Sequence, residues 1–202
     1  PNIRNGTHDQ GVRNMISSLI VTGLIVAVII YVIVAYNGFV SLRERIKEAW
    51  SGIEVQMKLR YNLIPNLVET VKGYAKHESG TFEAVTRARS EAMANQGSPA
   101  EQAQSENILT VALKSLFALA ENYPELKANE SFLNLQHQLS DVEDKIQAAR
   151  RYYNGVVRDN NIKVDQFPSN LVAGAFKFIK AEFFELAEDE EAARRPVDVN
   201  FD

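Results

Sequence analysis

No cysteine occurs among the 202 residues. That absence excludes disulfides, thiol nucleophiles and cysteine-based metal sites, and it leaves the compartment open. Histidine is scarce too: His8, His77 and His137 are the only three. A zinc hydrolase of the HExxH type needs two histidines a helical turn apart beside a glutamate, and no such pattern exists. His77-Glu78 stands where a helix end is expected and reads as a solvated terminus, not as a metal site. Phosphate-cradling glycine loops and the GxSxG nucleophile elbow are also missing. Positive charge is not in excess. With 22 basic and 26 acidic residues the formal net charge is −4, which argues against nucleic acid as a partner. Strand-type alternation is scarce before the last residues, so helical spacing dominates. No enzyme, catalytic residue, cofactor or resident metal is expected from these patterns.

What is present begins with an uncharged, almost wholly apolar run from Ile16 to Tyr36, ISSLIVTGLIVAVIIYVIVAY. About 20 such residues suffice to cross a bilayer as a helix. A secretory signal would be shorter and would meet a small-residue cleavage site, whereas Asn37-Gly38-Phe39-Val40 follows here. The run therefore reads as a permanent anchor, with the lipid bilayer as partner. Arg4 and Arg13 lie before it; Arg43, Arg45, Lys47 and Lys58 lie after it. Basic residues concentrate on the cytoplasmic side, so the N-terminus is expected outside and the following domain in the cytoplasm. Gly23 and Ala27 form a small-residue pair spaced to let another helix approach within the membrane.

The rest divides into a polar tail (1–15), a helical domain (37–188) and an acidic, then extended, tail (189–202). Leu42, Ile46, Ala49, Ile53, Met57, Tyr61, Ile64, Val68, Val71 and Ala75 recur at three and four, the core stripe of a helix continuous with the anchor. Pro65 removes a donor and crowds the carbonyl of Tyr61, so a kink is expected, with Asn62 and Asn66 placed to satisfy freed backbone groups. Ser79-Gly80 marks a turn. A shorter helix reaches about Asn95, and Ser98-Pro99 with Glu101 opens the next. Ile108 to Ala120 is too short to span a membrane and is expected to be the most buried stretch.

From about Asn129, the series Phe132, Leu135, Leu139, Val142, Ile146, Ala149, Tyr153, Val156 and Asn160 reads as the seam of a long antiparallel pairing. Phe167-Pro168 stops it. Ser169 opens a last helix expected to reach about residue 188, with Phe176, Ile179, Phe183 and Leu186 facing inward. Phe178 and Phe184 fall off that stripe and become candidates for partner contact. The expected fold class is all-α: an N-terminal transmembrane helix continuous with an antiparallel up-down four-helix bundle.

Several linked stretches carry a resemblance. Trp50-Ser51 with Val55-Gln56, then Leu63-Ile64-Pro65-Asn66-Leu67-Val68-Glu69-Thr70-Val71-Lys72-Gly73-Tyr74, are similar to the first core motif of LemA proteins. Glu121 to Ala128 (ENYPELKA), Ala149 to Asn154 (ARRYYN), Phe167 to Asn170 (FPSN) and Pro196 to Phe201 (PVDVNF) fit the same pattern in order. Asp144 and Asp159 depart from it. The resemblance covers residues 16–202. It implies a single-pass protein of the bacterial inner membrane with a cytoplasmic four-helix bundle and no established catalysis. It also implies association with the membrane zinc metalloprotease HtpX.

Two residue groups are candidates for function. Glu69, Glu143, Arg150 and Asn154 lie on or beside apolar stripes and could form a polar network fixing helix register, for instance Arg150 with Glu69. Val197, Val199 and Phe201 alternate after a proline at the chain end, as a segment added to a partner's sheet edge would. The expected function is a membrane-anchored, non-enzymatic scaffold or adaptor that assembles with itself, with an HtpX-like metalloprotease, or with both. The alternatives are a purely structural envelope protein, or an enzyme using buried carboxylate and arginine chemistry.

Overall fold

The computed structural model describes the backbone of residues 4–185 and the side chains of residues 13–185. Among these residues all regular structure is helical, in six helices without a strand. They are α1 (Arg4–Lys72), α2 (Ser79–Ala94), α3 (Pro99–Ala120), α4 (Pro124–Lys127), α5 (Glu130–Asp165) and α6 (Ser169–Phe176). α1 is already helical at Arg4, within the segment expected to be a tail. Once an apolar helix is nucleated, each added residue gains a hydrogen bond, and the polar flank is drawn in.

Pro65 lies inside α1 without ending it. Its missing N–H leaves the carbonyl of Tyr61 without its helical donor. Arg89 on α2 supplies one instead: its Nε donates to that oxygen at 2.7 Å. Asn62 and Asn66, expected in this role, are exposed. The α3 start follows its sequence signal closely. Ser98 accepts from the Glu101 amide at 3.4 Å, the Glu101 carboxylate accepts from the Ser98 amide at 2.8 Å, and Pro99 follows the cap.

The described chain falls into two compact units. One combines residues 45–159 with residues 181–185. Its core takes Ile53, Met57, Ile64 and Val71 from α1, Phe82 and Val85 from α2, Leu109, Leu113 and Leu116 from α3, and Leu139, Ile146 and Val157 from α5. Each such side chain stabilises the fold by about 1.5–3 kcal/mol relative to exposure. The other unit combines residues 4–44 with Asn160–Lys180. In it Ala35 and Phe39 of α1 pack on Val172 and Ala173 of α6.

The last helix is shorter than its sequence stripe suggests. α6 stops at Phe176, because Lys177 takes the left-handed conformation (φ 59°, ψ 36°). The Phe178 amide then donates to the Ala173 carbonyl at 2.9 Å, and the Lys177 amide donates to Gly174 at 3.4 Å. This is the Schellman arrangement that closes a helix C-terminus, here with lysine where glycine is usual. Residues 178–185 run on outside any helix, so the burial expected of a helical stripe is inverted there: Ile179 is exposed, while Phe184 is fully buried.

Candidate functional site

α1, α2, α3 and α5 meet around a buried charge. Arg60 and Glu106 are each only 1% exposed. Burying two charges in an apolar interior costs several kcal/mol per ion unless partners compensate. Here they do. Arg60 Nη1 donates to Glu106 Oε2 at 3.1 Å, and Nη2 donates to Thr110 Oγ1 at 2.8 Å. Arg60 Nε lies 2.8 Å from Glu143 Oε1, an ion pair without hydrogen-bond alignment. The other oxygen of Glu106 accepts from the hydroxyl of Tyr61 and, at 3.0 Å, from Gln102 Nε2. Gln102 Nε2 also lies 3.2 Å from the Ala92 carbonyl of α2. One carboxylate thus ties α1 to α3, and one guanidinium ties both to α5.

The phenol of Tyr61 is pushed well above its ordinary range, first by burial, then by the negative charge of Glu106 and its hydrogen bond. It stays a donor at any physiological pH. Glu143 closes the cluster on its outer side, where Arg60, Thr110, Leu113, Phe117 and Leu139 border a cleft of about 290 Å³. Chemically this is a cross-brace in which both oxygens of Glu106 are already engaged.

The four residues expected to form a polar network go to different places. Glu143 joins Arg60. Glu69 is exposed and pairs with Lys72 at 3.1 Å on its own helix, not with Arg150. Arg150 is buried and engaged elsewhere. Asn154 binds the extended C-terminal segment: its Nδ2 donates to the Phe184 carbonyl at 3.0 Å, and its Oδ1 accepts from the Phe184 amide at 2.9 Å. Tyr153 acts beside it, donating its hydroxyl to the Glu182 carbonyl at 2.9 Å. These bonds replace the helical partners that an unwound backbone has lost.

Phe184, expected to face a partner, instead packs edge-on against Trp50 with centroids 5.4 Å apart. Phe178 stacks on Phe39 at 4.7 Å. Both face inward because the segment is extended and a helical wheel does not apply to it. Gly23 and Ala27 are exposed on α1, and beyond the adjoining backbone no atom lies within 4 Å of where a Cβ on Gly23 would sit. Val197, Val199 and Phe201 lie outside the described residues.

Glu106 and Gln102 had no place in the sequence reading, although a signal was there. Gln102, Glu106, Leu109, Leu113, Leu116 and Ala120 follow one another at three and four, so the two polar residues share the phase of a core stripe. A charge on that phase implies a buried partner. Among the described residues, no group of three or more potential acidic or histidine ligands is arranged to hold a metal ion.

α1 is the one described helix long and apolar enough to cross a membrane. Its large side chains between residues 16 and 36, such as Leu19, Leu24, Ile29 and Val34, are exposed.

Comparison with known proteins gives consistent results. The chain is 26% identical over 186 residues to the magnetosome protein MamQ 2 of Paramagnetospirillum magneticum, covering 80% of this chain and 68% of that protein. It is 25% identical to MamQ of Magnetospirillum gryphiswaldense, over 79% of this chain and 68% of the relative. It is 28% identical to protein LemA of Metamycoplasma hominis, over 76% of this chain and 70% of that protein. The LemA family model matches residues 49–201, from the turn before Ile53 of the core through the cross-brace and beyond it, and the chain belongs to the LemA family.

Proposed function

We propose that this chain is a membrane-anchored, non-enzymatic scaffold whose helical domain forms an antiparallel four-helix bundle. It assembles with itself, with a membrane zinc metalloprotease of HtpX type, or with both, and positions or regulates that protease. The observation that carries the reading is the exposed apolar face of α1 between residues 16 and 36. Apolar surface left in water is unfavourable by about 25 cal/mol per Å². Lipid removes that cost. Membership of the LemA family supports a membrane-associated protein, and the cross-brace around Glu106 supports a structural use of the buried charges.

In this reading α1 crosses the bacterial inner membrane once, with the N-terminus outside and the helical domain in the cytoplasm. Gly23 and Ala27 provide the intramembrane contact, and Val197, Val199 and Phe201 the docking segment. Photo-crosslinking residues placed at positions 23 and 27 in native membranes test the first contact. Adducts with a second copy or with the metalloprotease are expected, and adducts with lipid alone would sink it. Deleting residues 196–202 tests the second, since undiminished copurification of the protease would remove the tail from the interface.

A second reading rests on the cleft of about 290 Å³ beside Arg60, Thr110 and Glu143. An enzyme working there would need Glu143 as its acid or base. Its test is whether Glu143→Gln abolishes any turnover by the purified chain under conditions where circular dichroism shows the variant still folded.

A further inference from the structure

We propose that the segment from Phe167 to Ile179, with α6 at its centre, is a second membrane contact that lies in the headgroup region of the bilayer. The inference rests on the reading that residues 16–36 cross that bilayer.

At about 1.5 Å rise per residue this run is about 31 Å long, the thickness of a hydrocarbon core, so Tyr36 sits at its boundary. Tyrosine is enriched at that level because its ring is apolar and its hydroxyl seeks water. α6 is fixed to the same level by direct contact. The Tyr36 ring lies 5.0 Å from Phe176 and 5.5 Å from Phe178, both edge-on. Ala35 and Phe39 are buried against Val172 and Ala173.

With that inner face occupied, the segment turns large apolar side chains outward. Phe167 is 73% exposed, Leu171 64%, Phe176 51% and Ile179 80%. Scattered apolar residues on a surface need no explanation, but four within one short segment beside the end of a membrane span are a concentration that calls for a partner. The charges nearby suit a lipid surface. Lys163 holds its Nζ 4.9 Å from the Phe39 ring centroid, and Lys177 is exposed at the helix end. Lys180 is 2.7 Å from Asp165 and partly neutralised. Long cationic stems flanking an apolar segment can rest against it and place their ammonium groups among phosphates, as beside interfacial helices. The occupant is therefore lipid, in continuity with the surface α1 already meets.

The absence of native cysteine allows one nitroxide label per molecule. Leu171→Cys and Ile179→Cys variants of the full chain are labelled and reconstituted in vesicles of phosphatidylethanolamine and phosphatidylglycerol. Ile25→Cys serves as the bilayer reference and Lys58→Cys as the aqueous one. Power saturation compares collisions with oxygen, which partitions into lipid, against a water-soluble nickel chelate. Labels at 171 and 179 are expected to show an oxygen-to-nickel ratio several-fold above that at 58. A ratio equal to that at 58 overturns the proposal. Shielding from both reagents, with dipolar broadening, overturns it in favour of a second copy; without broadening, in favour of other protein cover. If the label at 25 also reads as aqueous, the membrane reading itself fails. If only 171 and 179 do, that reading stands and this inference alone is lost.

Discussion

Arg89 fills the gap that Pro65 leaves. The proline nitrogen has no hydrogen to offer the carbonyl of Tyr61 one turn earlier, and Arg89 Nε reaches that oxygen from α2 at 2.7 Å. A break in one helix's bonding is thus converted into a contact between two helices. Arg89→Met should leave the carbonyl unmet and lower stability by about 1–3 kcal/mol. In a Pro65→Ala background the amide at position 65 can take the carbonyl, so the same change should cost markedly less. Chemical denaturation of the four variants in detergent, followed by circular dichroism, gives the coupling. Equal costs in both backgrounds would refute the pairing.

The cross-brace between Arg60 and Glu106 makes a sharper demand. Arg60→Met strands a buried carboxylate and should cost about 3–5 kcal/mol. Replacing both partners, as Arg60→Met with Glu106→Leu, removes the stranded charge and should cost less than the sum of the two single changes. The readout is again unfolding free energy, and additivity would mean that the 3.1 Å contact carries no coupling.

Alkaline pH probes the buried phenols. Tyr153 is pushed up to about 12 from an ordinary 10, first by burial and then by the charge of Glu182. A raised folded-state value means that its contribution to stability is fully present below pH 10 and is lost as pH rises from 10 to about 12. Stability should therefore fall over that window, and Tyr153→Phe should flatten the fall. Denaturant unfolding across the same interval checks it. An identical slope in the variant would show that Tyr153 does not carry the effect.

Lys177 is the described non-glycine residue with a positive φ, at 59°. A side chain there costs roughly 1–2 kcal/mol, offset in part by the greater freedom of glycine in the unfolded chain. Lys177→Gly should therefore stabilise by about 0.5–1 kcal/mol, whereas a β-branched Lys177→Val should destabilise. Thermal unfolding of the two variants should shift in opposite directions; shifts of the same sign would contradict the αL cap.

Most of the helical pattern was legible because it needed only apolar spacing. The α1 stripe from Ala49 to Val71 and the α5 series from Phe132 to Asn160 are buried or partly buried along their length. Ser98, Pro99 and Glu101 announced their cap. Legibility ended where backbone conformation overrode periodicity. Nothing in the residues around Lys177 signals an αL turn, and an assumed helix there placed Phe178 and Phe184 outside and Ile179 inside, the reverse of what the extended chain does. The cross-brace was half legible. Glu143 stood out as a polar residue beside an apolar stripe, but its partner Arg60 lies on α1 and the other partners of Arg60 on α3, and long-range pairing is not written in local spacing.

Anchoring and assembly are tested together by native mass spectrometry of the full chain in lipid nanodiscs drawn from its own cell membrane. The expected result is a lipid-bearing particle that holds more than one copy, or a copy bound to a zinc metalloprotease of HtpX type. A chain recovered without lipid, or one copy alone with no second protein, would contradict the proposed role.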